Sequence, residues 1–306
     1  MMNWSLARRK KALQQRANIL QAVRYFFNAQ GFLEVETPHR IPAPAPESYI
    51  DAIGSEPWFL QTSPELCMKR MLAAGYEKIF QICRCWRKGE RGSQHIPEFT
   101  LLEWYHAGID YKVLMEECAS LIQSVASKVG VGERLLFHHQ TIDLTSPWER
   151  IRVREAFHEY AKTTMEEALR NRLFDEIMVR DIEPRLGTRK PTFIYDYPAQ
   201  RGALARLRPE DKTVAERFEL YVGGLELANG FSELIDPEEQ RRRFERENEN
   251  RQGMGKSVYA MPEKFLEELR EMPPSAGIAL GIDRLVMVLL DAPSIDEVVA
   301  FTPEEL

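Results

Sequence analysis

Apolar positions open the chain with a helical period. Leu13, Ala17, Leu20, Val23 and Phe27 recur at spacings of three and four, which predicts a helix over about residues 6–30 closed by Gly31. FLEVETP then alternates with a period of two, predicting a strand that stops at Pro38, and the proline- and alanine-rich IPAPAPESY reads as a loop. After a short strand at WFLQT, SPELCMKRMLAAG predicts a helix in which Ser63 caps, Pro64 takes the first position and Glu65 lies in the favourable first turn. KIFQICRCWR and EFTLLEWYHA flank a basic, glycine-broken loop and predict an antiparallel hairpin. A helix is expected near Tyr111 to Val129 and short amphipathic helices over about 141–187. Strands are expected at TFIYDYPA and on both sides of Gly223-Gly224, a helix from Asp236-Pro237-Glu238, and a strand meeting a helix in GIALGIDRLVMVLL. Hairpins with helices segregated around them imply an α+β fold on an antiparallel sheet. No flexible linker bounds 141–187, so this segment is expected as a small helical insertion in one domain spanning 1–306.

Composition narrows the class. An apolar fraction of 44% with 29% charged residues is that of a soluble globular protein. No stretch is long and apolar enough to cross a bilayer, and the N-terminus lacks the apolar centre of a signal peptide, so no membrane partner and a cytoplasmic location are expected. Cys67, Cys83, Cys85 and Cys118 include no CxxC and no histidines at zinc spacing, and read as buried thiols. The net charge of −6 argues against a protein that grips nucleic acid over a broad surface. The charge is uneven, however. No acid precedes Glu34, while Arg8, Arg9, Lys10, Lys11, Arg16 and Arg24 make the opening basic. That segment reads as a solvated helix face or as a dock for an acidic partner or RNA; a transit peptide is the weaker reading, because the segment runs straight into folded-looking sequence.

Three segments bring chemistry together. Gly223-Gly224 suits a two-residue hairpin turn, which places Tyr221 opposite Glu226 and Glu219 opposite Ala228, with Glu219 and Glu226 as diagonal neighbours about 7–8 Å apart. Two such carboxylates hold a divalent ion, magnesium being the natural candidate, or remain two solvated acids. In the first hairpin, alternation groups Phe99, Leu101, Glu103 and Tyr105 on one face and Gln81, Cys83, Cys85 and Arg87 on one face of the partner strand. If those faces coincide, Arg87 offers a site for an anion, Glu103 one for a cation and Phe99 a stacking surface, the alternative being an internal Arg87–Glu103 salt bridge. ELANGFSELID adds Asn229, in a pair equally readable as a turn, and Glu233 among apolar residues. Arg284 falls in a first helical turn, where backbone N–H groups favour anions.

In order, GFLEVETP, the stretch from Arg84 through HIPEFTLLEWY, and GIALGIDRL resemble motifs 1, 2 and 3 of the class II aminoacyl-tRNA synthetases. TSPELCMKRML, ELANGFSELIDPEEQ and PTFIYDYPA resemble the lysine branch, and the likeness covers about residues 10–302. It implies an antiparallel sheet of about six or seven strands flanked by helices, a homodimer formed through motif 1, and activation of an amino acid by ATP as an adenylate. By this resemblance Arg87 meets the α-phosphate, Phe99 stacks on adenine, Arg284 meets the γ-phosphate and His95 lies near the phosphates. Lys88, Gly89, Ile96, Glu226, Leu227 and Gly281 complete the nucleotide contacts, and Glu219 and Glu226 hold ATP-bound magnesium. Glu103, Tyr105 and Glu233 surround a lysine-type ammonium, while Ser63, Pro64, Glu65 and Asn229 surround the amine and carboxylate at the other end.

Motif 1 begins almost at once, which leaves no room for the N-terminal anticodon-binding barrel of lysyl-tRNA synthetases. The chain is more similar to the short paralogues that attach (R)-β-lysine to a lysine side chain of elongation factor P, and Ala279 stands where those paralogues carry alanine and the synthetases glycine. A truncated synthetase acting on tRNA and a non-catalytic paralogue that binds lysine or RNA are the alternatives. Two departures from the family pattern lie in motif 2: Lys88-Gly89 with the acid displaced to Glu90, and Ile96 in place of asparagine.

Overall fold

The computed structural model describes residues 4–306. Its centre is a nine-stranded mixed sheet. Strands follow one another across it in the order Leu33–Glu34, Lys78–Trp86, Glu98–Ala107, Ser275–Gly281, Leu225–Ser232, Asp211–Val222, Thr192–Pro198 and Glu149–Arg152, with Leu207–Arg208 paired beside the Asp211–Val222 strand. The centre is antiparallel as expected, but both edges are parallel: Leu33 pairs with Ile79, and Thr192 with Glu149. A parallel neighbour requires a crossover, and each edge has one. The Glu65–Ala73 helix lies between the strands of one pair, and the short helices Val153–Tyr160, Met165–Arg170 and Phe174–Ile177 between those of the other. The 141–187 segment therefore includes a strand of the main sheet as well as helices.

Motif 1 yields less strand than its alternation predicts. Only Leu33–Glu34 are paired in the sheet, with one more bond from the Val35 N–H to the Phe80 carbonyl, since Pro38 ends the run. The following loop contributes Arg40–Ile41 to a separate three-stranded sheet with Gly54–Ser55 and Trp58–Leu60. The SPEL helix begins at Glu65, with Pro64 at the cap position and Ser63 one residue earlier than expected. Ser63 Oγ nevertheless accepts the Glu65 N–H at 3.0 Å.

One face of the sheet packs on the helices Trp4–Ala29, Tyr111–Lys128 and Ile282–Leu289, with Phe27, Phe80, Trp104, Phe218, Leu220 and Ile278 in the seam. Arg9 and Arg16 are built into this layer. Arg9 pairs with Glu305 and donates to the Val299 carbonyl at 3.2 Å, while Arg16 pairs with Asp283 at 2.6 Å. Part of the basic opening is thus structural, and Arg8, Lys10 and Lys11 are its exposed remainder. All four cysteines are free thiols, three of them buried. No described helix is long and apolar enough to cross a membrane.

Candidate active site

The opposite face of the sheet floors a cavity of about 390 Å³. The first hairpin has the expected register, Gln81 opposite Glu103, Cys83 opposite Leu101 and Cys85 opposite Phe99, so the two predicted faces coincide. The second hairpin differs. Gly223 and Gly224 have φ of +60° and +76°, the left-handed pair that a tight turn needs, and Tyr221 does face Glu226. Beyond that pair the register shifts: Leu220 faces Ala228 and Glu219 faces Asn229, not Ala228. Leu227 and Ala228 both enter the apolar layer. This bulge lets Glu226 and Asn229, three residues apart, line the same cavity, which strict alternation forbids. Asn229-Gly230 lies within the strand and is not a turn.

One end of the cavity is an acidic chamber. Glu103, 2% exposed, accepts the Ser63 hydroxyl at 2.6 Å and the Tyr105 hydroxyl at 3.0 Å. Lys69, 1% exposed, is buried behind this end of the cavity, 2.5 Å from Glu65 and 2.6 Å from Glu233. Burial alone would lower its ammonium, but the two carboxylates more than offset this and raise it. Glu233 Oε1 has no hydrogen-bond partner. Desolvation lifts Glu103 and Glu233 each to about 8, helped at both by Glu65 and opposed by Lys69. Gly277 closes this end: a Cβ there would meet the Tyr105 ring at 2.3 Å and Glu233 Oε1 at 2.5 Å.

These carboxyls set a pH signature. Groups raised from about 4.5 to about 8 bind more protons folded than unfolded, so their contribution to stability is complete at pH 4.5 and lost as pH rises through 8. The ligand-free protein is expected to lose melting temperature across that window. A diamino acid, which favours the ionised acids, should flatten the decline, and scanning calorimetry with and without it checks this.

The other end is cationic. Arg87 lies 4.9 Å over the Phe99 ring, its Nε is buried without a partner, and Glu90 stands 3.9 Å away. The alternative Arg87–Glu103 bridge does not form. The displaced acid of the motif 2 loop thus still returns to the arginine, around Gly89 at φ +80°. The Lys88 N–H bonds the Asp51 carbonyl at 2.7 Å, and Ile96 is 5% exposed in the apolar layer, so it serves packing where the family has a polar side chain. Arg284, at the start of the Ile282–Leu289 helix, donates to the Glu226 carbonyl at 2.8 Å and lies 3.2 Å from its carboxylate. Its Nη2 is 2.6 Å from His95 Nε2. Burial and then Arg284 lower the His95 pKa, which leaves the ring neutral and Nε2 free to accept. Gly281, Leu227 and Ala279 complete the lining, Ala279 lying between Glu103 and Asn229.

Between the two ends, Glu219 accepts the Tyr197 hydroxyl at 2.6 Å and the Tyr221 hydroxyl at 2.9 Å, and pairs with Arg217 at 2.6 Å. Burial raises its pKa, with Arg217 opposing and Glu226 reinforcing. Arg217 also donates to Asn229 Oδ1 at 3.0 Å.

The cavity lining takes in nearly every residue singled out in the sequence. Pro64, Lys88, Gly89 and Glu233 are not part of the lining itself, Pro64 standing at the helix cap and Glu233 behind Gly277. Lys69, Arg217, Gly277 and Glu47 escaped the sequence reading. A lysine in a helix reads as solvent-facing, and only the neighbouring Glu65 at i−4 hinted otherwise.

The family model for class II tRNA synthetases (D, K and N) matches residues 1–305. Among curated relatives, the elongation factor P–(R)-beta-lysine ligase of Vibrio atlanticus is 39% identical over 97% of this chain and 97% of its own length. The proteins of that name from Pseudoalteromonas translucida and Salmonella typhi are 40% and 39% identical, covering 97% and 95% of this chain and 97% and 94% of their own.

Proposed function

The chain belongs to the class II tRNA synthetase family (D, K and N), and from that premise we propose that it activates (R)-β-lysine or lysine with ATP as an adenylate and transfers it to a lysine side chain of elongation factor P. The observation that carries the choice of substrate is the charge of the acidic chamber. Fully ionised, Glu65, Glu103 and Glu233 against Lys69 carry two negative charges; burial holds Glu103 and Glu233 protonated in the ligand-free protein, and the two ammonium groups of a diamino acid are the cations that match the ionised set. Glu103, Tyr105 and Glu233 take the distal ammonium, and Ser63, Glu65 and Asn229 hold the reactive end near Arg87.

The substrate carboxylate then attacks the α-phosphorus of ATP in line. Arg87 donates to the phosphoryl oxygens as charge spreads over them, Phe99 stacks on adenine, and Arg284 with neutral His95 holds the distal phosphates. Among the described residues no three His, Cys, Asp or Glu are grouped to hold a metal. Glu219 and Glu226 form a pair of hard oxygen donors, a set that fits magnesium completed by phosphate oxygens. Bound there, the ion would neutralise triphosphate charge.

We further read the chain as one catalytic domain in which the segment at about 141–187 is an insertion of short helices together with the edge strand Glu149–Arg152. It works in the cytoplasm as a homodimer joined through the first helix and the Leu33–Glu34 strand, where Tyr25 and Leu33 are exposed. ATP–pyrophosphate exchange tests the activation step: exchange is expected with β-lysine or lysine and absent with leucine, and exchange with leucine instead would overturn the reading.

Ala279 sets the floor between Glu103 and Asn229. Ala279→Gly removes one methyl and is expected to raise the use of α-lysine relative to β-lysine by about 10–100-fold in exchange kcat/KM.

A further inference from the structure

Glu47 lies in the proline-rich loop for which the sequence reading gave no role. The backbone of that loop is clamped. Arg251, 1% exposed, donates to the Glu47 and Ile50 carbonyls and to the Asp51 carboxylate, each at 2.8 Å, and its guanidinium lies 4.2 Å from the Tyr259 ring centroid. The Ser48 N–H bonds Glu247 at 2.9 Å, and Lys256 donates to the Ser48 carbonyl at 3.0 Å. The Pro237–Gly253 helix and the segment after it thus fix where Glu47 stands. The carboxylate itself makes no hydrogen bond or ion pair among the described residues.

Glu47 lines two cavities at once. One is the active site, where Arg87 and Glu65 are also lining residues. The other, about 280 Å³, shares Glu47, Ser63 and Glu65 with it. Ile41, Ala43, Ala45, Leu66, Met261 and Phe265 form its hydrocarbon walls, and its lining reaches the exposed residues Pro42, Glu263 and Lys264. An apolar cavity that shares a carboxylate with the active site and reaches the surface on its other side fits one ligand chemistry, an alkyl chain ending in an amine.

Resting on the ligase reading above, we propose that this passage admits the acceptor lysine side chain and that Glu47 is the catalytic residue that binds its ammonium and takes a proton from it. The freed lone pair forms the C–N bond with the adenylate carbonyl carbon. The bond from that carbon to the phosphate oxygen breaks, and AMP leaves with the electron pair. Glu47 holds the first proton, and the second, lost from nitrogen as the adduct collapses, passes to water. Burial lifts the Glu47 carboxyl to about 7, with Arg87 opposing, Glu65 and Glu247 reinforcing and Arg217 opposing, which suits a base working near neutrality. Arg251, Asp51 and Lys256 are the other charged groups packed around the loop.

The test compares the full-length protein with Glu47→Gln in two assays: lysine-dependent ATP–pyrophosphate exchange, and single-turnover transfer to elongation factor P across pH 6–9. Transfer is expected to fall about 100-fold further than exchange and to lose its inflection near pH 7. Equal losses in both assays, or transfer at the wild-type rate, would overturn the assignment. Ala45→Phe, in the wall of the passage, is expected to raise KM for the acceptor more than KM for the amino acid, and an unchanged acceptor KM would contradict the passage. A wild-type protein without lysine-dependent exchange fails the ligase reading, whereas wild-type activity in both assays with indifferent Glu47→Gln fails this inference alone.

Discussion

Arg87→Ala is expected to slow adenylate formation severely, with a fall of about 100–1,000-fold in ATP–pyrophosphate exchange kcat. The arginine lies over Phe99 at the cationic end of the cavity, with its buried Nε unpartnered and only a distant contact to Glu90. It is therefore free to donate to a phosphoryl oxygen as charge accumulates there. Because that interaction strengthens in the transition state, the loss should fall on kcat more than on KM for the amino acid. Arg87 is about a quarter exposed and lies just past the end of the Lys78–Trp86 strand, so the folded state should survive. Exchange at the wild-type rate in Arg87→Ala would remove it from the chemistry.

The second large effect is on stability. Lys69→Met is expected to cost about 3–5 kcal/mol, because it leaves Glu65 and Glu233 facing each other in a buried chamber without their shared cation. The sign with pH follows from Glu233. Its carboxyl is at about 8 even with Lys69 opposing, and losing that opposition raises it further. At pH 6 the variant can keep the acid neutral, so the loss should be smaller there. At pH 8.5 the wild-type acid is largely ionised beside Lys69, whereas the variant must hold its proton against the solution, so the loss should be larger there. Urea denaturation at the two pH values measures the difference, and a loss independent of pH would show that Lys69 contributes packing alone.

Much of the site is legible in the sequence because its residues sit on strands, where a period of two fixes the face. The Gln81–Arg87 and Phe99–Tyr105 faces follow from alternation, and so does the Gly223-Gly224 turn. The relation of Glu226 to Asn229 does not, since a bulge depends on how three strands pair and not on local propensity. The parallel edges were hidden for a similar reason: a strand of two residues, Leu33–Glu34, carries too short a pattern to reveal its direction. Lys69 and Arg217 looked like surface charges, and only the packing of the Glu65–Ala73 helix against the sheet turns one of them inward. Glu47 had no periodic context at all, because its place is set by Arg251, some 200 residues away.

The central claim is transfer of a lysine-type acyl group to protein. The direct measurement is the intact mass of elongation factor P, and the acid-precipitable label on bulk tRNA, after incubation with the enzyme, ATP and either α- or β-lysine. The account predicts a mass increase of one lysyl group on one side chain of elongation factor P, larger in yield with β-lysine, and unlabelled tRNA. Labelled tRNA with unmodified elongation factor P would contradict it.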